Sequence, residues 1–156
     1  MKAKSDLNTK VMYEQACAFL DCAKYTESEK YKIEGRTNSH LYVDMSLSAL
    51  ACEIFIKSLI ISKNGDYNND HTLEKLWHRF KFYDQDTAEQ IEGNMKARFH
   101  SSNEDMFDKM IHDASCAFVQ WRYVFDYEAS DCVKINPQFL RFFREELKCL
   151  CGQRIQ

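Results

Sequence analysis

Apolar residues recur at intervals of three and four along most of the chain, the spacing that gathers them on one face of an α-helix. Val11, Met12, Ala16, Phe19, Leu20 and Ala23 predict a first helix from about Asp6 to Glu27. The polar stretch TESEKYKIEGRTNS follows, with Gly35 as its turn. A second helix, capped by Asn38 or Ser39, runs to about Lys63. Asn64-Gly65 then stops it, because both residues tolerate the left-handed conformation needed past a helix end. Asp66 to Asp70 reads as a loop, and Asp70 or Thr72 caps a short third helix, HTLEKLWHRF, with Leu73, Leu76 and Trp77 inward. A fourth helix, from Asp84 or Asp86 to about Phe99, turns Ala88, Ile91, Met95 and Phe99 inward. The fifth begins near Ser102-Asn103 and continues to about Ser130, on the stripe Phe107, Met110, Ile111, Ala114, Phe118, Trp121 and Phe125. Pro137 suits the first position of a last helix capped by Asn136, whose apolar side is Phe139, Leu140, Phe143, Leu147 and Leu150.

Punctuation agrees with this pattern. One proline and four glycines in 156 residues favour long helices over many turns. The length is that of one domain, residues 1–156, and the expected class is an all-α bundle of five to six helices. A chain of this size buries roughly 68–70% of its unfolded surface and needs no disulfide staples. Seven cysteines, an odd number without CxxC spacing, read as small apolar residues of a reducing cytoplasm and not as a zinc site. The first residues, MKAKSDLNTK, carry no signal-peptide core. The longest apolar stretch, around Ile54 to Ile61, is broken by Lys57 and Ser58 and reads as too short to span a bilayer. A cytoplasmic protein without a membrane partner is expected. The net charge of −3 gives no overall basic signature for nucleic acid, so any such surface must be local.

Three places carry candidate chemistry. In ALACEIFIKSLI, Glu53 precedes Lys57 by one turn, the favourable order for a helical ion pair, at the border of an apolar face. On the fifth helix Arg122, Ser115 and Asp126 lie about 20°, 40° and 60° round from Ile111, forming a polar seam at the edge of the apolar stripe. Arg122, with Trp121 and Tyr123 beside it, suits a phosphate, a carboxylate or Asp126 one turn on. The last helix places Arg141, Arg144 and Lys148 on one side, the only local basic surface the sequence offers. Glu104, Asp108 and His112 share an edge that reads as solvated carboxylates; no metal is assigned there. The two Glu-x-x-His motifs of a di-iron bundle and a Gly-rich phosphate loop are both missing, so no cofactor is expected.

ALACEIFIKSLI, then a loop and HTLEKLW, then AFVQWRYVFDYE on a long helix, together resemble a HEPN domain (higher eukaryotes and prokaryotes nucleotide-binding), over about Leu41 to Glu128. The resemblance implies a helical bundle, commonly a homodimer, of a kind found in toxin–antitoxin and antiphage systems. Many such domains are metal-independent ribonucleases, and others are binding or assembly modules. Active members carry an arginine followed, after four to six residues, by a histidine. The arginine maps onto Arg122, but the histidine positions are Tyr127, Glu128 and Ala129, and Tyr123 replaces the polar residue that often follows the arginine. Arginine stays protonated and cannot accept a proton, and a tyrosine with pKa near 10 is a poor base unaided. The resemblance therefore implies a divergent or non-catalytic member that binds RNA, a nucleotide or a cognate protein. The alternatives are a ribonuclease whose acid/base is His112, Tyr127 or a group of the second subunit, and a purely structural dimeric assembly protein. His71, opening HTLEKLW, reads as a helix-start residue.

Overall fold

The computed structural model describes residues 8–28, 37–115 and 135–155, which form six helices and no strand. They are α1 (Thr9–Glu27), α2 (Thr37–Ser62), α3 (Leu73–Tyr83), α4 (Gln85–Arg98), α5 (Met106–Ala114) and α6 (Pro137–Ile155). The expected all-α bundle is present. The sequence places α2 at its axis: a helix apolar on every side is one that neighbours must enclose. Met45, Ala49, Ala51, Cys52, Phe55, Ile56, Leu59 and Ile60 are all buried. α1, α3 and α6 pack directly against it. The expectation that no apolar stretch is long enough for a bilayer needs correcting. Leu41–Ser62 passes that test by length and composition, although 67% of its apolar window is buried inside the bundle.

A second layer of packing is aromatic. Trp77 of α3 is 1% exposed, with the rings of Phe80, Phe107 and Phe143 centred 5.4, 5.3 and 5.2 Å away. Phe139 stacks on Phe143 and meets Phe107 edge-on. One indole thus ties together α3, α5 and α6. Its Nε1 donates to Glu92 of α4 at 2.9 Å, so the ring's single polar atom is satisfied as well.

The helix ends follow local chemistry, with some shifts from expectation. α1 starts at Thr9, not near Asp6, because Asn8 caps it: Oδ1 accepts from the backbone N–H groups of Lys10 and Val11. α5 starts at Met106, later than Ser102-Asn103, since Ser101 and Asn103 spend their side chains on turns. At the end of α2, Asn64 takes the left-handed conformation (φ 57°) and the Gly65 N–H donates back to the Ile60 carbonyl at 2.9 Å. Gly65 serves close packing instead. A Cβ there would lie 2.7 Å from the Tyr83 ring and 2.8 Å from the Ile60 carbonyl. α4 ends on the same hydrogen-bond pattern, with His100 left-handed at φ 48°.

Asp84 joins four elements. It follows α3, precedes α4, and receives Arg154 of α6 and Lys63 beyond α2, at 2.5 and 3.1 Å. Burial pushes its carboxyl up, but the hydrogen bonds from Arg154, Thr87 and Lys63 outweigh burial and hold it down at about 2. A carboxyl with a depressed folded pKa stabilises the fold above its unfolded pKa, and that stability is lost as pH falls through the folded value. Asp84→Asn is therefore expected to cost on the order of 1–2 kcal/mol at pH 7, allowing for solvent screening. In urea unfolding that difference should shrink between about pH 4 and pH 2; a pH-independent difference would refute the assignment.

Candidate functional site

The most unusual polar assembly lies where α2 meets the loop leading into α3. Glu53 and Lys57, one turn apart on α2, are each 8% exposed. Lys57 Nζ donates to Glu53 Oε1 at 2.7 Å. The expected ion pair is therefore made, but in the protein interior. A third group completes it: His71 Nδ1 is 2.9 Å from the same Glu53 oxygen and 3.4 Å from Lys57 Nζ. The Tyr67 ring lies under the ammonium, 4.9 Å from Nζ to centroid.

The loop is held in a way that places His71. Asn68 and Asn69 both take left-handed backbone, and the Asp70 N–H donates to the Tyr67 carbonyl at 2.9 Å. Asp70, one of the two expected caps of α3, instead pairs with Arg79 at 3.1 Å. Thr72 occupies the cap position without a side-chain bond, and its Oγ1 is buried without a partner among the described residues. The start of α3 is capped from another helix: the Ser115 hydroxyl accepts from the Glu74 N–H at 2.9 Å and donates to the Ile111 carbonyl. Ser115, expected on the polar seam, thus secures the helix that His71 precedes.

Geometry selects the imidazole's tautomer. A carboxylate only accepts hydrogen bonds, so the 2.9 Å contact with Glu53 puts the proton on Nδ1. The competing contact, from Lys57, is longer at 3.4 Å. In the neutral ring Nε2 then carries the lone pair, on a side chain that is 74% exposed, above a carboxylate that is 11% exposed. A buried carboxylate that fixes an exposed imidazole in this way makes an oriented proton acceptor or hydrogen-bonding group. Helical spacing pairs Glu53 with Lys57 but leaves His71 as a helix-start residue. No local signal links His71 to a carboxylate eighteen positions earlier.

The other expected residues are placed differently. Arg144 is not part of a solvent-facing basic stripe: it is 2% exposed and donates to Asp44, Ser48 and Glu27 at 2.9, 2.6 and 2.7 Å. Arg141 donates twice to Asp44, at 2.9 and 2.6 Å. The physical reason is Asp44, fully buried on α2, which draws both guanidinium groups inward. Lys148 is half-buried on the same helix. His112 Nδ1 lies 3.1 Å from Glu74 Oε2, on a mostly exposed ring. Arg122, Tyr123, Asp126 and Tyr127 lie outside the described residues, as do Cys116, Cys132 and the outer part of the expected fifth helix.

Metal binding and chemistry at the buried thiols find no support among the described residues. No group of three or more His, Cys, Asp or Glu side chains is placed there to hold a metal ion. The buried thiols of Cys52 and Cys151 are poor nucleophiles: burial pushes Cys52 far above the usual thiol range and Cys151 up to about 12. A shallow groove of about 600 Å³ runs along α3, lined by Lys75, His78, Arg79 and the exposed Phe82. No family model, curated protein or solved structure matches the chain.

Proposed function

We propose that the chain is a divergent HEPN-like module that binds RNA or a nucleotide, works as a homodimer, and serves a toxin–antitoxin or antiphage system with a cognate protein. One observation carries this reading. Glu53 and Lys57 belong to the first of the three resembling blocks and His71 opens the second, and their side chains meet at one half-open site. A buried ion pair and an exposed imidazole at the meeting point of two such blocks suit a polar ligand better than a purely packed surface does. The departures around Arg122 make binding the primary reading.

Fluorescence anisotropy of a labelled structured RNA, with and without EDTA, tests it. Saturable binding is expected, weakened about tenfold or more by Arg122→Ala, the loss of one charge-assisted contact. No binding of RNA or nucleotides, with the dimer intact in both proteins, would leave the purely structural assembly protein instead. A second reading, the metal-independent endoribonuclease, is favoured by one feature, the oriented and exposed imidazole of His71.

A further inference from the structure

We infer that the groove along α3 is an interface, and that it takes the outer face of α1 from a second copy of this chain. The inference rests on the homodimer reading and goes beyond it by naming the two faces that meet.

Lys75, His78, Arg79 and Phe82 follow one another at steps of three and four, so they share one side of α3 and line its groove of about 600 Å³. Phe82 is 84% exposed, a large ring left in water. Tyr83 braces it edge-on, with 5.3 Å between the ring centroids. Most charges of α3 are already engaged: Glu74 faces His112, Lys81 holds Glu92 and Arg79 holds Asp70. Lys75 is exposed and has no partner among the described residues, and the Nε of Arg79 is unpaired there too. Spare positive charge thus stands beside an exposed ring. Asp70 is in the groove wall as well, so separate carboxylates suit it better than the continuous charge of a nucleic acid.

The complementary face is on α1. Val11, Glu14, Ala18, Asp21, Cys22 and Tyr25 lie within about 100° of arc round the helix, and all are exposed. Val11, Ala18 and Tyr25 repeat every two turns, as do Glu14 and Asp21, the same interval of about 10.5 Å that separates Lys75 from Phe82. The small side chains of Ala18 and Cys22 leave a dip between Val11 and Tyr25 for a projecting ring, with both carboxylates along one edge. Glu14 and Asp21 have no partner among the described residues. Lys10 lies just outside this arc, and Lys24 is turned to Glu145 at 2.8 Å. In a twofold dimer the contact is made twice, which doubles the area of one short helix pair towards the roughly 800 Å² per partner of a standard interface.

Sedimentation of the full chain over a range of concentrations, with two charge-reversed variants, tests the pairing. Wild-type protein should approach twice its mass of 18.5 kDa. Lys75→Glu with His78→Glu makes the α3 face acidic, and Glu14→Lys with Asp21→Lys makes the α1 face basic. Each variant alone should dimerise at least about tenfold more weakly, because like charges then meet at both contacts. An equimolar mixture of the two should dimerise again, since opposite charges then meet at both contacts. Phe82→Ala should weaken the dimer by about 30-fold or more, as loss of an aromatic anchor does. All five positions are exposed, so the variants should fold, and circular-dichroism melts verify this. A dimer indifferent to both reversals, or reversals not restored by mixing, overturns the inference and leaves the homodimer reading standing. Wild-type protein that stays at 18.5 kDa throughout overturns both.

Discussion

Arg144→Ala is expected to destabilise the protein by about 3–5 kcal/mol, the usual cost of breaking a buried ion pair from one side. Arg144 is 2% exposed and Asp44 is fully buried, so neither can turn to water when the other is removed. Asp44 would keep Arg141 and the Ser48 hydroxyl, but Ser48 and Glu27 would each lose a donor. The guanidinium Nε already lacks a hydrogen-bond partner among the described residues, lying 3.7 Å from Glu145, so the network is stretched before any change is made. Against a total stability of about 5–15 kcal/mol for a domain, the loss is large enough to move a urea midpoint by roughly a fifth or more of its value. Removing both charges together, Asp44→Leu with Arg144→Met, should cost less, because no charge of that pair is then left stranded, while Arg141 keeps Glu27 at 3.4 Å. Equal midpoints for Arg144→Ala and the wild type would mean that the network does not form.

Trp77→Ala should cost about 3–5 kcal/mol, by loss of transfer free energy and by the cavity left behind. The indole touches rings from α3, α5 and α6 at once, so the cavity cannot close by moving one helix alone. Glu92 would lose the Nε1 donor but keep Lys81, at 2.8 and 3.1 Å, which limits the polar part of the penalty. Trp77→Phe keeps most of the ring contacts and should cost markedly less. Equal losses for the two variants in urea unfolding would show that the hydrogen bond, and not the packing, sets the effect.

Local patterns made much of this fold legible. The stripes of α1, α3, α4 and α6 stand out because each of these helices buries one face, and a one-sided burden leaves a period. Asn64-Gly65 marks the end of α2, although only Asn64 takes the left-handed backbone and Gly65 makes room for Tyr83. α2 itself has little periodicity, since neighbours cover it from several sides, and its polar residues therefore read as interruptions. Glu53 and Lys57 are visible as a pair because one turn separates them. His71 as their third member, Ser115 as the cap of α3, and Asp44 as the magnet for Arg141 and Arg144 are not. Those contacts join residues 18, 41 and up to 100 positions apart, and spacing within one helix carries no trace of them.

That last separation bears on how the chain reaches its fold. Asp44 leaves the ribosome about a hundred residues before Arg144, its buried partner on α6. Until α6 emerges, one side of α2 and a carboxylate meant for the interior stand open to water. Closing so long a loop is slow compared with forming local helix pairs. The nascent chain must therefore wait, with its most apolar helix only partly sheltered by α1 and α3. In that interval its exposed apolar surface is open to aggregation. Any change that shortens the sequence separation between α2 and α6 would speed folding without adding a single new contact.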